Sequence, residues 1–369
     1  MRLDGKDSKA IALAHGLTRQ RSAARLRPVL GFAPVEGGVE LYATNGAVAL
    51  RYRLEGAELA APVQVAADPL RMILRDAGPV ELQAADGRVT LEAEGARFTL
   101  PALEETMPQL ERAHQLTTGH CSMPVSLLSS IERRVSFAAS GERTRYAMDG
   151  VRLELSAAGV RAVATDGKRL ALVEEPMAMP DLAHGAGVVP VAALRLAVEL
   201  AEALEVAIVD VRLTGSVISL AARGFEITAR LVEGSYPPYE AVIPKSAAAT
   251  LTIPREALTA ALRRASVVVS KESRTVRWRF CGRCLTLSAT TADIGSSSVA
   301  LAIDYEGATL ELGLNPEYMA HGLKAIGAEA VELDLSGPDD AVVIRGDGLL
   351  YVVMPVSLAV AAAPSGLLR

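Results

Sequence analysis

The chain has 369 residues, half of them apolar and only 4% aromatic, with a formal net charge of −5. Such a length exceeds one ordinary core and predicts two or three domains, packed mainly with Ala, Val, Leu and Ile; the mild acidity argues against a chain coated with nucleic-acid-binding patches, without fixing how charge is distributed. Three cysteines make no disulfide framework, no apolar run reaches membrane-spanning length, and the start Met1-Arg2-Leu3-Asp4-Gly5 is not that of a signal peptide, so a soluble, cytoplasmic protein is expected.

In chain order, a weakly marked helix is predicted over residues 8–17 and a strand over 38–43. A helix follows over 69–76, stopped early by Gly78-Pro79, then a strand over 88–93. Helices over 124–134, 190–203, 254–269 and 316–326 come next, with strands such as 151–155 and 217–221 between them. Five of the six helices open with proline (Pro69, Pro124, Pro190, Pro254, Pro316), which is expected in the first helical turn, where its missing N–H would be unpaired anyway. One helix with its strands thus recurs at intervals of roughly sixty residues. Pairing the units two by two predicts three domains, 1–118, 119–244 and 245–369, of α+β class. Short, turn-rich strand spacing favours antiparallel meanders over parallel crossovers.

The repeats share wording. Gly38-Val39-Glu40-Leu41-Tyr42-Ala43-Thr44-Asn45-Gly46 matches Gly159-Val160-Arg161-Ala162-Val163-Ala164-Thr165-Asp166-Gly167, a half-buried strand ending in an Asn-Gly or Asp-Gly turn; Cys284 to Thr291 offers a third copy. Val80-Glu81-Leu82, Val209-Asp210-Val211 and Val331-Glu332-Leu333 each begin a further run of strands. In the first repeat Leu100-Pro101-Ala102-Leu103-Glu104-Glu105 stands where its sister has Tyr236-Pro237-Pro238-Tyr239.

Catalytic patterns are lacking. Cys281-Gly282-Arg283-Cys284 sits between two strand patterns, so Gly-Arg reads as a hairpin turn, and a zinc site would need two further ligands. The five histidines are scattered; Gly167-Lys168 is no phosphate loop, since Arg169 fills its Ser/Thr position. Asp166 is explained by its Asp-Gly turn. An enzyme built on Asp166, Lys168 and Arg169 would need a cleft with perturbed carboxylates in place of an open apolar groove. The expectation is therefore no enzyme, no metal and no cofactor.

Two strings identify a family. Ala164-Thr165-Asp166-Gly167-Lys168-Arg169-Leu170-Ala171 resembles the Ala-Thr-Asp-Gly-His-Arg-Leu-Ala segment of the bacterial DNA polymerase III beta subunit, the sliding clamp, and Tyr351-Val352-Val353-Met354-Pro355-Val356-Ser357-Leu358 resembles its terminal Tyr-Val-Val-Met-Pro-Met-Arg-Leu. Glu233-Gly234-Ser235-Tyr236-Pro237-Pro238-Tyr239 is similar to the family's connector between its second and third domains. The resemblance covers nearly the whole chain. It implies a head-to-tail homodimer, a ring of six domains with helices lining a hole that encircles double-stranded DNA without sequence specificity and keeps polymerase processive. It also implies a nucleoid-associated place in the cytoplasm, no membrane, and partners carrying clamp-binding motifs: the DNA polymerase III alpha subunit, the clamp loader and repair proteins. The alternative is a clamp paralogue with altered partner or inhibitor preference, serving a specialised polymerase or acting as a non-ring adaptor.

Cations stand on every helix: Arg71 and Arg75, Arg133 and Arg134, Arg195, Arg263 and Arg264, and Lys324, with Lys6, Lys9, Arg19 and Arg21 near the first. These are candidate phosphate contacts, which carry no sequence information. The resemblance adds Arg25 or Arg27, Arg75, and Arg145 with Tyr146; a second family tyrosine there is Ala147. It also implies an apolar peptide groove lined by Met148, Thr165, Gly167, Lys168, Arg169, Leu170, Pro237, Val242, Val352, Met354, Pro355 and Val356. Lys168, Ala241 and Ser357 depart from the family's histidine and two arginines, altering the rim. The alanine-rich stretch 359–369, ending Leu367-Leu368-Arg369, is a candidate cover for the groove.

Overall fold

The computed structural model describes residues 1–20, 26–76, 79–110, 118–141, 146–177, 184–270 and 274–358. Arg21, Arg25, Gly78, Arg145 and the 359–369 stretch, singled out above, lie outside the described residues.

One order of elements occurs three times: strand, helix, four strands, helix, three strands. The first pass is β1 (Arg2–Leu3), α1 (Gly5–Arg19), β2 (Val29–Val35), β3 (Gly38–Thr44), β4 (Val48–Glu55), β5 (Val63–Ala66), α2 (Ala67–Asp76), β6 (Val80–Ala85), β7 (Arg88–Ala93) and β8 (Ala96–Pro101). The second is β9 (Gly119–Pro124), α3 (Val125–Val135), β10 (Gly150–Ser156), β11 (Gly159–Thr165), β12 (Arg169–Glu175), β13 (Gly185–Pro190), α4 (Val191–Ala203), β14 (Ile208–Leu213), β15 (Val217–Ala222) and β16 (Phe225–Arg230). The third is β17 (Ala249–Pro254), α5 (Arg255–Ala265), β18 (Val276–Cys281), β19 (Cys284–Thr291), β20 (Gly295–Ala302), β21 (Leu310–Leu314), α6 (Pro316–Ala325), β22 (Ala330–Leu335), β23 (Val342–Gly346) and β24 (Leu349–Val353).

The residues gather into two compact units. The first comprises Met1–Glu132, Asp149–Arg161 and Pro176–Ser235; the second comprises Arg133–Met148, Ala162–Glu175 and Tyr236–Arg369. In the first unit one sheet runs β1-β6-β7-β8 and another β5-β2-β3-β4-β16-β15-β14-β9, while β10 pairs with β13. In the second unit one sheet runs β20-β19-β18-β21, and β12-β24-β23-β22-β17 form a continuous run. Every pairing whose register is given is antiparallel, as the meander spacing required.

Four of the helices keep an apolar face of small residues at helical spacing: Ala10, Ile11, Ala14 and Leu17 on α1, Leu128, Ile131 and Val135 on α3, Leu258, Ala261, Leu262 and Ala265 on α5, and Met319 and Leu323 on α6 are all buried. These cores are made mainly of aliphatics, with a few buried aromatics such as Trp278, Tyr351, Phe32 and Phe280, which is why 4% aromatic residues suffice.

The structure corrects three sequence readings. Only Pro316 occupies the first helical position, behind an Asn315 cap. Pro124, Pro190 and Pro254 are instead the last residues of β9, β13 and β17, and Pro69 is the third residue of α2. Each of those three strands lies at a sheet edge, where a missing N–H breaks no ladder. The helix expected over 8–17 is the longest, at 15 residues, because Asp4 accepts from the Lys6 and Asp7 amides and starts it at Gly5. The helix expected over 254–269 stops at Ala265 and tightens into a 3-10 turn over Ser266–Val268.

Candidate functional site

The local chemistry of the site begins with a turn. Thr165 Oγ1 donates to Arg169 O (2.7 Å) and accepts from Gly167 N (3.1 Å), while Asp166 Oδ1 accepts from Lys168 N (2.9 Å) and Arg169 N (3.1 Å). The same four bonds recur in the first repeat around Thr44 and Asn45, at 2.8, 2.9, 3.0 and 2.8 Å. Gly167 and Gly46 both take positive φ, +85° and +89°, which glycine adopts without steric cost. Asp166 is thus a backbone-binding turn residue, as its Asp-Gly setting suggested.

That turn launches β12 and aims Arg169 inward. Its Nε reaches Asp166 Oδ2 at 3.0 Å, its Nη1 donates to His321 Nδ1 at 2.7 Å, and its guanidinium lies 4.4 Å from the Tyr318 ring and 5.7 Å from that of Phe137. The Arg169 and Asp166 side chains are only 10% and 16% exposed. Arg169 therefore ties β12 to α6 as an anchored wall. Burial, and then the Arg169 charge, hold the His321 pKa below its ordinary 6.5. The neutral ring is the form that accepts from Arg169.

Beside this wall lies a cavity of about 410 Å³, wholly within the second unit. Nine of the twelve groove candidates line it: Met148, Thr165, Gly167, Arg169, Leu170, Pro237, Val242, Val352 and Met354. Lys168, Pro355 and Val356 are not among its lining residues. Lys168 is exposed, and Val356 is held by its amide to Gly313 O at 2.8 Å on β21. Tyr146, considered for DNA, also lines the cavity, together with Pro238, Tyr239 and Ala241. Leu170, Val352 and Tyr239 belong to a buried cluster with Val163, Leu172 and Val343, so the floor is continuous with the core. Val242 and Met354 are 52% and 42% exposed and form an apolar rim open to solvent. Tyr236 donates to Val163 O at 3.0 Å, fixing the Tyr-Pro-Pro-Tyr connector as one flank. A mostly apolar lining with few polar groups suits a peptide or small amphipathic ligand.

The first repeat carries the matching notch, nearly closed. The turns at Gly95 and Gly224, between β7 and β8 and between β15 and β16, set the register between the two repeats. In that register Met107-Pro108-Gln109-Leu110 stands where the second repeat has Tyr236-Pro237-Pro238-Tyr239, several residues later than the sequence alone placed the match. There the space shrinks to about 50 Å³. Arg51, buried on β4, donates to Leu110 O at 3.1 Å and Gln109 Oε1 at 3.3 Å and sits 5.0 Å from the Tyr42 ring. Tyr42 in turn donates to Pro108 O. With the two turns matched, Tyr42 and Arg51 stand where the second repeat has Val163 and Leu172 in the buried cluster under its cavity.

The helix cations divide by what they touch. Arg195 reaches Glu132 at 3.1 Å, Arg27 reaches Glu105 at 3.1 Å, and Arg134, with an 11% exposed side chain, pairs with Asp347. Among the described residues no ion pair engages Arg71, Arg133, Arg263, Arg264 or Lys324, and all but Arg71 are exposed. Arg75 is exposed and has an interaction of its own. Cys281 and Cys284 flank a two-residue turn as the sequence suggested, with Gly282 at φ +56°. Among the described residues no group of three metal-capable side chains converges, and no helix is long and apolar enough to cross a membrane.

Comparison with known proteins agrees with this architecture. The family models for the DNA polymerase III beta subunit match twice, the central domain over residues 122–238 and the C-terminal domain over 240–357. A beta sliding clamp of Pseudomonas putida is 29% identical over 319 residues, covering 85% of each chain. A crystal structure of the DNA polymerase sliding clamp from Pseudomonas aeruginosa superposes with a TM-score of 0.86 at 25% identity, covering 97% of this chain and 100% of that one. The DNA polymerase III beta subunit from Thermotoga maritima has the same fold, with a TM-score of 0.89 at 23% identity over 97% and 99% of the two chains. The chain belongs to the DNA polymerase III beta subunit family, the beta sliding clamps.

Proposed function

We propose that two copies of this chain join head to tail into a ring that encircles duplex DNA, and that the second-unit cavity takes a short peptide from replication and repair partners. The sheet topology carries the ring. The third strand of one half-repeat pairs with the third strand of another in both units: β16 with β4, and β24 with β12. Among the described residues, their equivalents β8 and β20 end the two four-stranded sheets without such a neighbour. Unpaired edges invite another chain, and the repeat rule assigns β8 of one copy to β20 of the next. Carrying the β16–β4 register across, with the Val39–Leu54 pair matched to Leu285–Leu301, places Phe98 opposite Ser297 and Arg97 opposite Ser298. Phe98, on β8, is 39% exposed; beside β20, Val267 and Ile294 are 75% and 55% exposed. Such a heterologous contact closes at two copies only if its rotation is right.

On this reading the three passes of elements are three clamp domains, 1–118, 119–244 and 245–369. Arg25, Arg27, Arg71, Arg75, Arg133, Arg145, Tyr146, Arg195, Arg263 and Lys324 are the candidate DNA contacts, with Arg133, Arg263 and Lys324 the best presented because they are exposed and, among the described residues, outside any ion pair. Weak, sequence-independent phosphate contacts are what a sliding ring needs. The groove assignment is supported by a related clamp, that of Pseudomonas aeruginosa, solved bound to griselimycin. Ala241 in the cavity lining supplies no planar donor where the family pattern has arginine, which favours a partner set different from that of clamps keeping it.

The test is the solution mass by light scattering at micromolar protein, followed by retention on closed circular duplex DNA before and after linearisation. A mass of two chains, with retention lost on linearisation, is expected. A stable single chain would overturn the ring.

A further inference from the structure

The Cys281-Gly282-Arg283-Cys284 turn has a property that neither the clamp ring nor the groove uses. Cys281 and Cys284 are direct Cα partners across the β18–β19 hairpin. Trp278, Phe280, Leu285 and Leu287 alternate with them and are fully buried, so both cysteines point to the solvent face of the sheet. Cys281 is exposed, Cys284 is partly exposed, and both are free thiols. The third cysteine, Cys121, is buried in β9, where desolvation pushes its thiol up to about 11.

We propose that Cys281 and Cys284 form a reversible dithiol–disulfide site that reacts with low-molecular-weight disulfides. Directly opposed residues in a hydrogen-bonded antiparallel pair lie about 5.5 Å apart at Cα, inside the window of roughly 4.4–6.8 Å that a disulfide spans. Their Cβ atoms start about 4.5–5.5 Å apart and must close to roughly 3.5–4.5 Å; the hairpin tip, with glycine at its first turn position, supplies that small movement. The closed loop is minimal and its ends are already paired, so the bond removes little chain entropy and is readily reversed. Thr309 Oγ1 lies 3.3 Å from the Sγ of Cys281, the more accessible of the two cysteines, and donates to it.

The reaction balances in two steps. The Cys281 thiolate attacks oxidised glutathione, forming a mixed disulfide and expelling one glutathione thiolate. The Cys284 thiolate then attacks the Cys281 sulfur, closing the intramolecular bond and expelling the second. Two thiol protons leave, and the two electrons reside on two reduced glutathiones.

The experiment treats the native full-length chain with excess oxidised glutathione and reads intact mass, then maps the alkylated peptides. The expected result is loss of two hydrogens, with Cys281 and Cys284 protected together, Cys121 unchanged, and full reversal by dithiothreitol. C284S should stop at a stable glutathione adduct on Cys281, and C281S should react at least tenfold more slowly. Persistent glutathione adducts on the native chain, disulfide-linked pairs of chains, or two thiols that stay free would each overturn the proposal. Both substitutions fall on the solvent face, and an unchanged solution mass of each variant confirms that the assembly is intact.

Discussion

Replacing Arg169 by alanine removes the side chain that ties β12 and its leading turn to α6 in the second unit. It abandons the Asp166 carboxylate, which is 16% exposed and otherwise bonds two backbone amides, and it leaves His321 Nδ1 and the Tyr318 face without their partner. Hydrogen bonds to charged groups contribute about 1.5–3 kcal/mol each, and a largely desolvated cation–π contact about 2 kcal/mol. The three cannot be summed, because one guanidinium makes them all. Breaking a buried pair from one side costs about 3–5 kcal/mol, and that range is the expectation for Arg169→Ala. Urea denaturation followed by tyrosine and tryptophan fluorescence measures it as a lower midpoint at unchanged slope. Arg169→Lys should recover less than half, since an ammonium cannot bond Asp166 and His321 while lying flat on Tyr318. In a double-mutant cycle, Asp166→Asn and Arg169→Ala should couple by more than about 1 kcal/mol. A loss below about 1 kcal/mol for Arg169→Ala would refute the anchoring role, since so small a change is what an exposed surface pair gives.

Other outcomes follow from neighbouring features. Because folding lowers the His321 pKa below 6.5, the unfolded chain takes up the proton first as pH falls. Stability is then complete above pH 6.5 and declines below it until the folded pKa is passed; His321→Asn should flatten that decline in unfolding experiments between about pH 8 and 5, and an unchanged profile would exclude the histidine as its source. Phe98→Asp should weaken dimerisation at least tenfold by sedimentation, since burying such a ring contributes about 1.5–3 kcal/mol and tenfold is about 1.4 kcal/mol. A charge at Val242 or Met354, as Val242→Glu or Met354→Glu, should weaken binding of a clamp-binding peptide by more than tenfold while leaving the solution mass unchanged, as both side chains line the cavity yet are exposed. Arg263→Ala with Lys324→Ala should lower the salt dependence of DNA binding, with a slope change of about 0.9 for each phosphate no longer neutralised.

Much of the molecule was legible in the sequence because its signals are local. Alternation and helical spacing marked strands such as β3, β7, β10 and β15 and, among the described residues, all six α-helices, and Asn-Gly and Asp-Gly located turns whose four hydrogen bonds prove identical. Helix ends were misjudged where a distant or backbone cause decides: Asp4 capping lengthened α1, and edge-strand placement put three prolines before their helices. The connector Met107-Pro108-Gln109-Leu110 was hidden because its side chains differ from Tyr-Pro-Pro-Tyr; only equal hairpin geometry sets the register.

By itself the sequence determined a threefold order of strands and helices and an aliphatic core, since each rests on spacing a few residues long, while the groove residues, nine of twelve of which line the cavity, came from the family resemblance. Tertiary structure alone decided which copy of the notch is open. The four-bond turn is the same in both, but Arg51 and Tyr42 tie the first connector down through Leu110 O and Pro108 O, while in the second repeat Arg169 is held by Asp166, His321 and Tyr318 as one wall of the larger space. It also decided which cations are paired and which sheet edges are left over, because an ion pair or a strand partner is chosen by residues far away along the chain.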